Sequence, residues 1–271
     1  MADSSSSLGQ QQEPKFDATV PQTARIWNYW LGGKDNYPAD RQVGDQIVKA
    51  FPEMVENARA SRAFLVRAVR YLAGEAGIRQ FLDIGTGLPT ASNTHEVAQA
   101  VAPESRIVYV DNDPIVLVHA RALLTSSPEG ATAYIDADLR DPDKILQEAA
   151  GTLDFSQPVA IMLMGILGHI ADDDEAQSIV RRLMDAVPSG SYLTMNDGSD
   201  TSEAVVEAAR IWNESANPTY HLRSPDRIAR FFDGLELVEP GVVSPPRWRP
   251  EPSTSGLPAE VDSFCGVGRK P

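Results

Sequence analysis

From Arg79 onward, short apolar runs alternate with amphipathic stretches. Five runs have the length and composition of buried strands: Gln80–Ile84, Arg106–Val110, Ala131–Ile135, Val159–Met164 and Ser191–Met195. Between them lie Thr94–Val101, Pro114–Leu124, Pro142–Ala149 and Asp174–Val187, which predict helices. Asp113 followed by Pro114 gives the second helix an N-cap and a first-turn proline. In the last, Ile179, Val180, Leu183, Met184 and Val187 form the buried stripe, and Pro188 with Gly190 ends it. This alternation predicts an α/β fold, a mostly parallel sheet with right-handed crossovers and helices on both faces. Ser224-Pro225-Asp226 starts a further helix through Phe232, closed by Gly234, and two more strands follow at Leu235–Val238 and Ser263–Val267. The Pro-rich stretch from Gly241 to Pro258 between those strands reads as a surface loop.

The N-terminal part has a different grammar. Residues 1–20, with Ser4 to Ser7 and Gln10 to Gln12, lack apolar periodicity and predict a disordered tail. The segment ARIWNYWLGGKDNYPAD is too dense in aromatics for a solvated linker, and Gly32-Gly33 stops any helix there. Asp40–Phe51 and Glu53–Ala73 then read as helices, the second with Val55, Ala58, Leu65, Val66, Val69 and Leu72 largely on one stripe. The expected division is a tail over 1–20, a helical lid over 21–75 and a sheet domain over 76–271.

Composition narrows the partners. Twenty-four basic residues against 38 acidic ones leave a formal charge of −14. A chain so negative repels phosphate backbones and anionic lipid, so a small molecule is the expected partner, with no nucleic acid and no membrane. The lone Cys265 rules out an intramolecular disulfide framework. No apolar run reaches a membrane span, and no charged-then-apolar signal opens the chain, so a cytoplasmic protein is expected. No His, Asp or Glu set has metal-ligand spacing, and Asp172-Asp173-Asp174 reads as the acidic start of a helix. A homodimer is left open.

The chemistry gathers at strand ends. In FLDIGTGLPT, Asp83 ends an apolar strand, and Gly85 and Gly87 follow before a helix. Glycines there let a ligand approach the backbone. The dinucleotide fingerprint wants a third glycine where this chain has Thr90, which disfavours pyrophosphate and an NAD-dependent oxidoreductase. Asp111 ends the next strand, 24 residues beyond Gly87, near where an acid grips the hydroxyls of a ribose. The third strand leads to Asp138 and Leu139, placed to meet an adenine amine and ring. Each acid alone is more often an N-cap or turn residue. Three in consecutive units beside a glycine loop point to an adenosine.

The order DIGTG, VDND, ADLRD and MLMGILGHI resembles class I S-adenosylmethionine-dependent methyltransferases. More narrowly, ARIWNYWLGGKDNYPADR followed by SRAFLVRAVRYLAGEAGIRQFLDIGTGLPT resembles a largely actinobacterial family of these, long catalogued as a domain of unknown function. The resemblance runs from about Thr23 to the C-terminus. It implies a Rossmann-like, seven-stranded sheet whose last strand is antiparallel, an N-terminal helical lid, and S-adenosyl-L-methionine as cofactor. Carried over by residue, Asp83, Gly85 and Gly87 would flank the methionine part, and Asp111 the ribose. Asn112, Asp138 and Leu139 would surround the adenine, with Met164 and Gly165 near the sulfonium. The lid from Tyr29 to Tyr37 would close over the methyl. The chain departs from the family pattern after two strands. Leu167-Gly168-His169 stands where paired histidines are usual, and Asn196-Asp197 where Ser-His is usual.

Those strand ends and the lid supply the remaining candidates. Tyr29, Asp35, His169 and Asp197 are the candidate catalytic groups; Trp27, Asn28, Trp30, Tyr37 and Asn196 are the candidate substrate contacts. A lone histidine at a strand end is more often packed than catalytic, and His169 gains only from facing the expected methyl donor. His95, His119 and His221 have weaker claims. The implied activity is methyl transfer to a small aromatic molecule, with the indole carbon of a tryptophan-containing cyclic dipeptide in secondary metabolism as the sharper form. The alternatives are O- or N-methylation of another natural product, and a cofactor-binding regulator without catalysis.

Overall fold

The computed structural model describes residues 17–123, 125–252 and 256–271; the tail predicted for 1–20 therefore lies largely outside the described residues. Five strands run parallel: β1 (Gln80–Ile84), β2 (Arg106–Asp111), β3 (Ala131–Asp136), β4 (Ala160–Met164) and β5 (Tyr192–Gly198). The short edge strand β6 (Glu236–Leu237) and β7 (Ser263–Arg269), which is antiparallel to both its neighbours, complete a seven-stranded sheet in the order β3-β2-β1-β4-β5-β7-β6. The parallel core is the one the pattern predicts, and the seven-stranded Rossmann-like form is the one the resemblance implies, with strand bounds shifted by at most three residues. The order reverses at β1, which pairs with β2 on one side and β4 on the other. A crevice for a ligand opens beyond the carboxyl ends of strands at such a point.

Successive side chains of a strand face opposite sides of the sheet, and here both sides are buried. Leu82, Ile84, Val108, Val110, Ile161 and Leu163 belong to one core cluster, under α6 (Pro142–Ala149), α7 (Asp173–Asp185) and α9 (Pro225–Ala229). Phe81, Ile107, Tyr109, Ala160 and Met162 alternate with them and belong to the other, under α3 (Met54–Gly74) and α4 (Thr94–Val101). Between β2 and β3, α5 (Pro114–Leu123) buries Val116, Leu117 and Ala120.

A third cluster joins the N-terminal helices α1 (Thr23–Trp30) and α2 (Pro38–Ala50) to α8 (Glu203–Ser215) through Ile26, Trp30, Ile47, Val205 and Trp212. Asp40 pins this layer. Its carboxylate accepts the Gln22 and Tyr37 N–H groups at 2.9 and 2.8 Å and pairs with the buried Arg25 guanidinium at 3.0 Å. Within 21–75, α3 serves two layers: Met54 and Ala58 join the third cluster, whereas Phe64, Leu65 and Ala68 cover the sheet.

Two features differ from the sequence reading. α8 had not been anticipated, although Ser202 caps it, accepting the Val205 N–H, and Val205, Ala208 and Trp212 form its buried stripe. The second is the Pro-rich stretch. Its first half is not a solvated loop: Trp248 is fully buried, edge-on to Phe64 at 5.3 Å and Tyr71 at 6.0 Å, whereas Glu251, Pro252 and Gly256 to Pro258 are exposed as expected. Arg67 on α3 holds its backbone, donating to the Trp248 and Pro245 carbonyls at 2.9 and 2.6 Å. The sheet face beside β7 needs an apolar cover, and one tryptophan among prolines supplies it.

Candidate functional site

The turn after β1 builds the centre of the site. Gly85 has φ +74°, and a Cβ there would come within 2.6 Å of the Ile166 side chain from the next strand end, so only glycine fits. Its N–H donates to Val110 O at 2.8 Å, tying the β1 turn to the end of β2. Asp111 then reaches back: one carboxylate oxygen accepts the Gly87 N–H at 2.9 Å and the other the Asp113 N–H at 2.9 Å. Burial pushes the Asp111 carboxyl up to about 6, against these backbone donors. Asp83 is also pushed to about 6 by burial, opposed by the Thr94 hydroxyl at 2.6 Å and by the Arg62 charge.

Two cavities open beside this turn. A groove of about 1100 Å³, open mouth included, runs along the β1, β2 and β4 ends. Asp83, Gly85, Gly87, Asp111 and Asn112 line it, as do Met164, Gly165 and His169. A second cavity of about 610 Å³, mouth included, is walled by Trp27, Trp30, Trp212 and Tyr220 and floored by Asn57, Ser61 and Asn196. The two share Trp27, Ser61 and Gly165.

The sequence of this chain matches the family described as S-adenosyl methyltransferase over residues 9–271. The chain belongs to that family. A DUF574 family protein of Streptomyces avermitilis MA-4680 shares 47% identity with the methyltransferase at a TM-score of 0.90, over 94% of this chain and 99% of that one. A protein of Thermobifida fusca YX shares 45% identity at a TM-score of 0.87, over 97% and 99% of the two chains. Human N-acetylserotonin methyltransferase in complex with SAM is similar in fold alone, at 11% identity and a TM-score of 0.50, over 92% of this chain and 63% of that one. No curated protein matches in sequence.

The cofactor of this methyltransferase is S-adenosylmethionine, and the groove fits it. Asp111 spends two lone pairs on backbone N–H groups, and a carboxylate has about four, which leaves acceptors for ribose hydroxyls. Thr90 Oγ1 and Thr23 Oγ1 line the groove buried and without a partner among the described residues. Arg62 is the one Lys or Arg among the described lining residues, braced on the Ala91 and Ser92 carbonyls at 3.2 and 2.9 Å. Arg62 would meet the carboxylate of a zwitterionic cofactor, and Asp83 would suit its ammonium.

Other candidates are placed differently. Asp138 is partly exposed outside the groove lining, touching it through Asn112, whose amide donates to it at 3.3 Å. Leu139 packs into the core with Ala137 and Ile145. In the lid, Asn28 is a hub: its Oδ1 accepts the Asp35 N–H and the Asn36 amide, both at 3.0 Å. Tyr29 and Asp35 do not reach either cavity. Tyr29 donates to Asp45 on α2 at 2.6 Å, and Asp35 is exposed. Tyr37 is also exposed, with Arg25 over its ring at 5.3 Å. Of the candidates on α1, Trp27, Asn28 and Trp30 face the cavities or the core, whereas the 3.6-residue period sends Tyr29 to the other side.

His169 lines the groove, and Asp197 stands behind the wall of the second cavity. The His169 Nδ1–H donates to Thr219 O at 2.8 Å, leaving Nε2 as the acceptor, and burial lowers its pKa. Asp197 is buried behind Tyr220, whose hydroxyl donates to it. The sequence reading missed Ser61, Arg62, Trp212 and Tyr220. Ser61 was legible, being a polar residue on the stripe of α3 between Ala58 and Leu65. Tyr220 lies in an irregular segment and carried no signal.

Proposed function

We propose that this methyltransferase methylates a small aromatic acceptor held in the cavity between α1, α3, α8 and the end of β5. One observation carries this: the cavity that shares Trp27, Ser61 and Gly165 with the cofactor groove is walled by three tryptophans and a tyrosine. Aromatic walls favour a flat π-system, which stacks or meets them edge-on. An indole is the acceptor we favour, methylated at carbon, as in a tryptophan-containing cyclic dipeptide.

Methyl transfer is an in-line displacement, so the protein's tasks are alignment and exclusion of water. S-adenosylmethionine supplies the electrophilic methyl. Trp27 separates the two cavities and excludes water where they meet. His169, neutral at pH 7, offers its Nε2 lone pair beside the groove.

The test is turnover with purified protein and S-adenosylmethionine over a panel of indoles, phenols, aromatic amines and cyclic dipeptides, read as a mass gain in the acceptor. Methylation of an indole member, abolished by filling the cavity with Ala208→Trp, is the expected result. If only aliphatic acceptors are methylated, the aromatic reading is wrong. Tight S-adenosylhomocysteine binding without turnover on any acceptor would identify a regulator instead.

A further inference from the structure

The cavity wall contains a hydrogen-bonded pair that alignment alone does not require. Tyr220 lines the cavity, and its hydroxyl donates to Asp197 while accepting the Gly198 N–H at 3.0 Å. A phenol has one proton and two lone pairs, so one acceptor site is left over. Asp197 is 1% exposed and makes no ion pair among the described residues. The nearest cation, Arg223, spends its donors on Asp173 and on the Leu167 and Ile170 carbonyls. A buried carboxylate with no countercharge is costly to keep.

The surroundings are shaped for this pair. A Cβ at Gly168 would overlap the Tyr220 ring, and one at Gly198 would lie 3.1 Å from it. His169 meets the same ring edge-on at 5.1 Å. Gly168, Asp197 and Tyr220 thus form one unit drawn from three segments of chain.

We propose that Tyr220 and Asp197 are a proton-accepting pair, and that the acceptor is an aromatic molecule bearing an N–H or O–H that it surrenders on methylation. This rests on the aromatic-acceptor reading above and narrows it. As the nucleophilic atom of the acceptor bonds to the methyl carbon, the carbon–sulfur electron pair returns to sulfur, and the acceptor gains one positive charge. Its N–H or O–H proton passes to the Tyr220 oxygen while the Tyr220 proton passes to Asp197. The products are a neutral methylated acceptor, S-adenosylhomocysteine and a protonated Asp197.

Burial pushes the Asp197 carboxyl up to about 6, against the Tyr220 hydroxyl and the Arg223 charge. It also pushes the Tyr220 phenol up, so this hydroxyl relays a proton without ionising. The titratable ring against the pair is His169, which burial keeps neutral at pH 7; His221, bonded to Thr219 Oγ1 at 3.2 Å, acts on His169 rather than on the pair. An ionised Asp197 is required, so turnover should rise with pH through about 6.

The test uses the full chain loaded with S-adenosylhomocysteine, titrated calorimetrically with indole and with 1-methylindole, in wild type and Tyr220→Phe. Tyr220→Phe removes one oxygen and should cut the preference for indole about tenfold, the scale of one hydrogen bond. In turnover, Tyr220→Phe and Asp197→Asn should each lower kcat about 100-fold and lose the acid limb near pH 6. A Tyr220→Phe protein that keeps its preference for indole, or its kcat and acid limb, overturns the proposal. Should Asp197→Asn fail to fold, the Tyr220→Phe comparison decides alone. If indole and 1-methylindole bind equally in wild type, only this inference falls. If neither binds, the aromatic-acceptor reading falls with it.

Discussion

Asp111→Asn keeps the shape of the side chain and removes its charge, which separates the ribose contact from the fold. In the wild type the two carboxylate oxygens take the Gly87 and Asp113 N–H groups, each at 2.9 Å. An amide offers one oxygen, so one of these N–H groups would face a second donor, at a cost of about 1–3 kcal/mol. Against this, burial raises the carboxyl from 3.8 to about 6. A shift of about 2 units is worth about 3 kcal/mol, a penalty the neutral amide escapes. The two effects oppose each other, and the apo protein should change in stability by less than about 2 kcal/mol. Cofactor binding has no such offset. Losing a charged hydrogen bond to a ribose hydroxyl costs about 1.5–3 kcal/mol, or about 10- to 150-fold in Kd. The pH dependence gives a second signature. Because the folded pKa lies above the unfolded one, Asp111 subtracts from stability at neutral pH, and the penalty is relieved as pH falls through about 6. Affinity runs the other way, since protonation takes an acceptor from the ribose. Lowering the pH from about 7 to 5 should therefore weaken S-adenosylhomocysteine binding while this group's own contribution to stability improves. Asp111→Asn should flatten most of the affinity trend, with the remainder owed to Asp83, and about a third of the stability trend, which Asp83 and Asp197 share. The assay is calorimetric titration with S-adenosylhomocysteine beside denaturant unfolding at each pH. Unchanged affinity in a folded Asp111→Asn protein would refute the reasoning.

Gly168→Ala places a methyl where the Tyr220 ring lies, so it should displace that ring and lower turnover at least tenfold while S-adenosylhomocysteine affinity changes less than about twofold; equal turnover would show that the ring's position does not matter. Trp248→Ala empties a fully buried site between Phe64 and Tyr71 and should cost about 3–5 kcal/mol in denaturant unfolding, which a solvated loop would not. Tyr29→Phe and Asp35→Asn should leave kcat within about threefold, because neither residue reaches a cavity; a loss of about 100-fold in either would restore the lid hydroxyl or carboxylate to the chemistry.

The alternation of short apolar runs with period-3.6 stripes was enough to specify the sheet, because strands buried on both faces need continuous apolar runs and their crossover helices need one apolar stripe. The glycine turn and Asp111 were legible for a related reason. A ligand that touches backbone demands glycine, and the strand end fixes where the next acid stands, so short-range sequence carries the cofactor groove. The second cavity is another matter. Its walls come from α1, α3, α8 and the segment around Tyr220, brought together by the third core cluster rather than by any local pattern. Which face of α1 turns inward depends on how Asp40 and Arg25 seat it, and that seating separated Trp27 from Tyr29. Trp248 was hidden in the same way, since the need for an apolar cover arises only once α3 and β7 are packed. The pairing of Tyr220 with Asp197 spans 23 residues and depends on Gly168 leaving room for a ring. Local sequence determined the groove that suits the methyl donor; packing between distant segments decided the shape of the cavity beside it.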